Sequence, residues 1–455
     1  MERTGAQILM EGLAREGVER VFGYAGATIC PIADALREDP NIDYTLVRTE
    51  QNAGHMASGY ARATGKTGVC IVTSGPGATN LITGVATAYM DSIPLVAITG
   101  QVPSNLLGRD IFQEVDITGA VTPFTKHCYL VKDAAQLPAV LKEAFHIAST
   151  GRPGPVLIDI PVDVQEQLVA DVVFPEEVRI RGYNPSVRGN DKQIANVAAA
   201  IGVAERPVIC AGGGVFLAHA EEELRQFAES TGIPVVTTMM GLSLLPTEHP
   251  LNMGMIGSHG NNTANRALAK SDLLIMIGTR VADRAIVSPD EIQKRMANIH
   301  IDVDPAEIGK NMQSTLPLVG NAKVILQQLM ERGARADCGA GGPPGPPPDE
   351  PEPGLSRQGR VRLPGPPPAA FGRAAERGRR RLRGRGTKPD LGLQAPAAPG
   401  RPVFDQRGPG DHGLCPSLRR GGEDRPARAA GGGNLRRRVV PDVHERAGGG
   451  EGGRI

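Results

Sequence analysis

The sequence has almost no net charge, no long apolar run and no paired cysteines, and each absence removes a class of function. Fifty basic and 49 acidic side chains leave a formal charge of +1 over 455 residues, so charge balance gives no reason to expect nucleic acid or an anionic membrane as partner. No run of about 18 or more apolar residues occurs, which excludes an ordinary membrane-spanning helix. The opening MERTGAQILMEGLAREG carries acidic residues on both sides of its short apolar run, unlike a secretory signal. A cytoplasmic protein is expected. The six cysteines, at 30, 70, 128, 210, 338 and 415, are widely spaced with no C-x-x-C, which argues against a zinc site or a disulfide framework. Reduced, mostly buried thiols and no protein-held metal are the expectation. The last part of the chain lacks more. From Ala336 to Arg454 there is no Ile, Met or Tyr, a single Lys (Lys388) and a single Thr (Thr387), while Arg, Gly, Pro and Ala dominate. Such a segment cannot bury enough apolar surface to offset its ordering entropy and reads as disordered.

What is present lies before Arg335. Apolar runs (TGVCIVTSG, IPLVAITG, GPVLIDIP, RPVICAGGG, SDLLIMIG, NIHIDVD) alternate with helical patterns such as AQILMEGLAREG, AEEELRQFAES and AKVILQQLMERG. This βα rhythm predicts an α/β fold with doubly wound parallel sheets. A polar stretch with two prolines, PEEVRIRGYNPSVRGND, interrupts it. The expected division is a first α/β domain over 1–165, a linker over 166–190, a second α/β domain over 191–335 and the tail over 336–455.

Candidate chemistry concentrates in the first domain. A strand run ending at Val47 leads into Arg48, Thr49, Glu50 and then an alanine-rich helix. That places a carboxylate where open α/β sheets hold ligands, although Glu50 could equally serve only the helix N-terminus. A second strand leads through Ser74-Gly75-Pro76-Gly77 and Asn80 into a helix, a turn that lets backbone approach a ligand. Alone, such a turn is common in α/β proteins.

The segments RTEQNAGHMASGYARATGK, TSGPGATNLITGVATAYMDSIPLVAITGQVP, FQEVDITGAVTPFTKH and GRPGPVLIDIPVDVQ resemble the amino-terminal, pyrimidine-binding domain of thiamine-diphosphate enzymes, specifically acetolactate synthase large subunits. The resemblance covers about residues 1–335. It implies that Glu50 hydrogen-bonds N1′ of the cofactor's aminopyrimidine, that Gly26, Gly75, Pro76 and Asn80 line the same site, and that Gln113, beside Phe112, faces the reacting carbon. Without the resemblance Gln113 reads as a solvated loop amide. Thiamine diphosphate supplies the electron sink with which one 2-keto acid is decarboxylated and joined to a second. A carboxylate sharing a proton with a ring nitrogen suits a dry, apolar pocket, where desolvation raises its proton affinity. Thr49 stands where histidine often precedes the glutamate, and Ala25 where proline is common.

In the second domain VICAGGGV (Gly212, Gly213, Gly214), GMIGSHGNNTANRAL (His259), LLIMIGTRVADR (Gly278, Arg280) and IHIDVDPAEIGKN (Asp302, Asp304) resemble the FAD-binding central domain of the same family. The resemblance implies a flavin without redox duty, touched also by Arg152 of GRPGPV. On its residues alone, His259 is as readily a packed or solvated loop histidine. Further implications are a homodimer or tetramer, a possible small regulatory subunit, and a product on the path to branched-chain amino acids. Another thiamine-diphosphate carboligase, acting on glyoxylate or sulfoacetaldehyde, or an inactive gene remnant, stand as alternatives.

The family also implies a third domain whose G-D-G motif, followed by asparagine, holds Mg²⁺ and the cofactor's pyrophosphate through oxygen ligands. No G-D-G occurs in these 455 residues. The stretch NLRRRVVPDVHERAG from Asn434 can, however, be encoded so that reading one base later gives Ile-Cys-Gly-Asp-Gly-Ser-Phe-Gln-Met-Ser-Met-Asn-Glu-Leu-Ala. The same step turns the segments from Asp405 and from Thr387 into further family-like segments, in the family's order. A frameshift near residue 335 is therefore expected. An arginine-rich arm for nucleic acid or an interaction linker are the other readings of the tail, but aromatics to stack on bases are nearly absent there.

Overall fold

The computed structural model describes residues 2–334; the tail, with the expectations attached to it, lies outside the described residues. Thr4 starts the first helix, Gly5–Arg15, through a reciprocal cap: its hydroxyl accepts from Gln7 N at 3.2 Å and its own N–H donates to Gln7 Oε1 at 3.0 Å. The apolar stripe of that helix, Ile8, Leu9 and Leu13, is fully buried.

The strands are β1 (Arg3–Thr4), β2 (Arg20–Tyr24), β3 (Asp43–Leu46), β4 (Gly68–Val72), β5 (Leu95–Gln101), β6 (His127–Leu130), β7 (Pro155–Pro161) and β8 (Leu168–Val169), then β9 (Pro207–Ala211), β10 (Val235–Thr237), β11 (Asn252–Met255), β12 (Leu273–Ile277), β13 (Ala297–Asp302) and β14 (Leu316–Val319). Two six-stranded parallel sheets result, ordered β3-β2-β4-β5-β7-β6 and β11-β10-β9-β12-β13-β14. Every residue of β4, β5, β7, β9 and β12 is buried, the signature of strands covered by helices on both faces. The α/β class with two doubly wound sheets is thus as the apolar runs predict. β1 and β8 pair antiparallel, tying the start of the chain to the end of the first domain.

Beyond β8, residues 170–190 contain neither helix nor strand, yet they are fastened at both ends. Phe174, Ile180 and Tyr183 pack on the first core, while Gly189 exchanges two hydrogen bonds with the Gln328 side chain of the second domain's last helix, at 2.9 and 3.3 Å. Among the four described cysteines, Cys70 and Cys210 are buried and Cys128 is half-buried, but Cys30 is exposed at the start of a helix, contrary to expectation.

In each sheet two neighbouring strands send their connections to opposite sides, β2 to β3 and β4 to β5 in the first, β9 to β10 and β12 to β13 in the second. The crevice this opens lies between β2 and β4 in the first sheet and between β9 and β12 in the second, at the strands' carboxyl ends, where open α/β sheets bind ligands.

Candidate active site

At the first crevice the loops after β2 and β4 are clasped together. Thr28 Oγ1 lies 3.0 Å from Thr73 Oγ1 and accepts the Ser74 N–H at 3.0 Å. A Cβ on Gly26 would stand 2.6 Å from the Thr73 side chain, so only glycine allows this approach. Gly75 adopts φ +58°, and a Cβ there would meet the backbone oxygen, Cα and Cβ of Gln113 at 2.8–2.9 Å. Pro76, with its φ already set for a helix, begins the helix Pro76–Met90.

Glu50 is the first residue of the helix Glu50–Thr64, where its charge complements the helix dipole. Its Oε2 accepts from Asn80 Nδ2 at 3.1 Å, and its Oε1 lies 3.3 Å from where a Gly77 Cβ would be. Gly26, Glu50, Gly75, Pro76, Asn80 and Gln113 thus belong to one cluster linked through Thr73 and Gly77. The buried hydroxyl of Ser74, beside it, has no hydrogen-bond partner among the described residues. A glycine cradle, an unsatisfied hydroxyl and a carboxylate with a neutral hydrogen-bonding neighbour fit a flat, nitrogen-bearing ring.

The expected dryness is not met. Glu50 is half-exposed and Phe112 is 87% exposed. The physical reason is position: Glu50 in the first turn of its helix and Phe112 on a loop both stand at the open carboxyl edge of the sheet. Thr49 and Ala25, the two departures from the family pattern, are exposed at the same edge.

At the second crevice Gly212 N–H donates to Ile277 O at 3.0 Å, Gly214 N–H to Gly278 O at 2.9 Å, and Gly278 N–H to Ile301 O at 2.9 Å. A Cβ on Gly212 would come 2.4 Å from Gly278 O, and one on Gly214 2.6 Å from Gly278 Cα, while Gly278 itself has φ +56°. Contact between the two loops already requires these glycines, whatever binds above them. Gly213 differs: its absent Cβ would touch only Met240, at 3.1 Å and beyond.

Asp302 closes β13, its Oδ1 accepting from Asp304 N at 2.9 Å, and burial pushes its carboxyl up to about 6. Arg152 of the first domain reaches this edge. Its Nη1 contacts Asp304 at 3.1 Å and Glu307 at 2.8 Å, and its Nε donates to Ser92 Oγ at 2.8 Å. Arg152 and Asp302 therefore meet on one loop, with the guanidinium engaged by protein carboxylates. Arg280 follows β12 and is half-buried. His259 stands apart, exposed beyond the edge strand β11, with Nδ1 3.1 Å from Ser258 Oγ. Strand spacing of about 4.8 Å puts the end of β11 two strands, or roughly 10 Å, from β9.

Sequence reasoning overlooked Thr28, Thr73, Gln101 and Asp159. For Asp159 a signal existed, because one carboxylate inside PVLIDIP breaks an otherwise apolar buried strand. It is 1% exposed, and its oxygens accept from Thr99 Oγ1 at 2.7 Å and Gln101 Nε2 at 2.9 Å. Burial pushes its carboxyl up to about 7, against the opposing pull of those two donors. The folded state then holds a proton that the unfolded chain has released, so this group lowers stability as pH rises from about 4 to about 7, with no further change above. Asp302 acts in the same sense up to about 6. Asp159→Asn is expected to flatten that slope by on the order of a few kcal/mol, measured as urea unfolding midpoints at pH 5 and pH 8. A slope equal to the parent's would refute it.

Residues 3–120 match the N-terminal TPP-binding domain of thiamine pyrophosphate enzymes, and residues 194–329 match the central domain of the same enzymes. The chain is 50% identical over 328 residues to the acetolactate synthase large subunit of Corynebacterium glutamicum, covering 72% of this chain and 52% of that protein. It is 49% identical over 332 residues to a probable acetolactate synthase large subunit of Methanococcus aeolicus (72% and 55%), and 48% identical over 327 residues to an acetolactate synthase of Mycobacterium bovis (72% and 53%). The chain spans about half the length of these relatives. With both domains matched in order on two parallel α/β sheets, the chain belongs to the thiamine pyrophosphate enzymes and carries their N-terminal TPP-binding and central domains.

Proposed function

We propose that this chain is the first two domains of an acetolactate synthase large subunit, which joins two 2-keto acids (pyruvate with pyruvate or 2-ketobutyrate) with loss of carbon dioxide. The observation that carries this reading is Glu50 held by Asn80 at the glycine-lined crevice of the first sheet, within a chain about half identical to named acetolactate synthases. Thiamine diphosphate supplies the electron sink when bound. This chain's part is to hold and return a proton at a ring nitrogen through the Glu50 carboxylate, to orient the ring between Gly26, Gly75 and Pro76, and to present Gln113 beside it. Mg²⁺ and the pyrophosphate belong to the domain whose motif is absent from these residues. No three His, Cys, Asp or Glu among the described residues are grouped to hold a metal.

The rest of the reading is of the same kind: 2-keto acid substrates in branched-chain amino-acid biosynthesis, assembly as a homodimer or tetramer, a small regulatory subunit and a cytoplasmic location. No helix of the described residues is long and apolar enough to cross a membrane. The frameshift near residue 335 is part of the proposal, and sequencing the gene across codons 325–345 tests it directly.

FAD is assigned to the second crevice, where Gly213, Gly278, Asp302 and Arg152 converge. The purified chain should take up FAD weakly, followed by quenching of flavin fluorescence. Gly278→Ala should abolish uptake, because a Cβ there would press to 2.7 Å on Gly214 Cα in a backbone conformation that alanine resists. A folded sample with no uptake of added FAD would sink the flavin assignment.

A further inference from the structure

Gln113 holds a backbone conformation that its residue type disfavours. Its φ is +62°, and its backbone crowds the place a Gly75 Cβ would occupy. Such a conformation lasts only where surrounding contacts over-determine it.

Two sets of contacts do so. Glu114 turns its carboxylate over the loop and accepts the backbone N–H groups of Gly108, of Arg109 at 3.2 Å and of Ile111 at 3.1 Å. These donors, Gly108 foremost, hold its carboxyl below the usual carboxylate range. On the other side the Val115 carbonyl accepts from Gln101 Nε2 at 2.9 Å. Gln101 ends β5 and is 3% exposed, and its amide is used at both ends. Oε1 accepts from Val102 N at 2.9 Å, which fixes the end of the amide that carries oxygen, and Nε2 also donates to Asp159 Oδ2 at 2.9 Å. Asp159 lies on the adjacent β7, opposite Thr99, which donates to its other oxygen.

We propose that Asp159 and Gln101 are positioning residues for Gln113: a buried chain through Thr99, Asp159, Gln101 and Val115 pins residues 108–116 so that Gln113 packs on Gly75 at the first crevice. A carboxylate in the middle of an apolar sheet is costly to bury, and packing alone has no use for it. The charged or ionisable groups acting with it are Asp116, which raises its pKa further, and Cys128, whose thiol it pushes up in turn. The relevance to catalysis rests on the proposed role of Gln113; the loop geometry does not.

The test is hydrogen exchange on the full 455-residue chain, read peptide by peptide. Asp159→Leu, nearly isosteric, removes the acceptor of both Thr99 and Gln101, so the Gln101 amide loses one of the bonds that orient it. Gln101→Glu, also isosteric, removes the donor to Val115. Each should speed exchange at Glu114 and Ile117, whose amides are bonded to Ile111 O and Val115 O, by about tenfold, the scale of one lost buried hydrogen bond. Exchange in the helix Pro76–Met90 should be unchanged. Unaltered exchange at Glu114 and Ile117, or an equal rise in that helix, would overturn the proposal and leave the pair as ordinary core polar groups. Gln113→Ala in a frame-restored enzyme tests the other premise separately: full turnover there removes the catalytic role while the exchange result stands.

Discussion

Replacing Glu50 by Gln in a protein whose reading frame has been restored is expected to lower acetolactate formation by about two orders of magnitude or more, the scale of a lost proton relay. Magnitude separates the two readings of this residue. As a charge at the start of the helix Glu50–Thr64, a partly exposed carboxylate contributes about 0.3–1 kcal/mol to stability. A hundredfold loss of rate corresponds to about 2.7 kcal/mol in the barrier, which helix electrostatics cannot supply. Glutamine keeps the length of the side chain and an oxygen for Asn80 Nδ2, now 3.1 Å away, so the clasp between the two helices survives. What it loses is the ability to take up and return a proton. The measurement is turnover with pyruvate beside a denaturant melt of the same variant. Undiminished turnover would overturn the assignment of Glu50; a fall in turnover matched by a fall in folded fraction would reduce Glu50 to a helix-start residue.

The parts of the fold legible in the sequence are those where both faces of a strand are buried. β4, β9 and β12 read as unbroken apolar runs, and β5 and β7 as apolar runs interrupted only by Thr99, Gln101 and Asp159, because no position on them meets water. The edge strand β3 is legible as the run ending at Val47, although it is half-exposed, whereas β6 carries a mixed, half-exposed pattern that nothing in the sequence separates from loop. Strand order is not written locally at all, since it depends on which crossovers lead to which side of β2 and β9. The site divides in the same way. Glu50, Gly75, Pro76 and Asn80 lie in two continuous motifs and could be named together. Thr28 and Thr73 come from segments 45 residues apart and acquire a role only when β2 and β4 become neighbours. The resemblance puts Gly212 and Gly214 in a flavin-binding segment; the structure gives them a nearer reason in the backbone of Gly278.

A polypeptide of these 455 residues should form no acetolactate from pyruvate, even with added thiamine diphosphate, Mg²⁺ and FAD, whereas the frame-restored gene should give an enzyme turning over at the ordinary scale of about 1–1,000 per second. What fails is the anchoring of the cofactor. The first crevice offers Glu50, Asn80 and a glycine cradle, enough to orient a ring, and among the described residues no three His, Cys, Asp or Glu are grouped to hold a metal for a diphosphate. Most of the charge of the cofactor lies on that diphosphate, which needs oxygen-ligated Mg²⁺ to be held, and no G-D-G motif is present to hold it. Glu50 is half-exposed, so water would compete for every hydrogen bond the ring could make. Product analysis on both proteins, purified side by side, decides the matter. Measurable acetolactate from the present chain would overturn the anchoring argument; a restored protein that folds, binds the cofactor and turns over glyoxylate but not pyruvate pairs would move the assignment to another carboligase of the family.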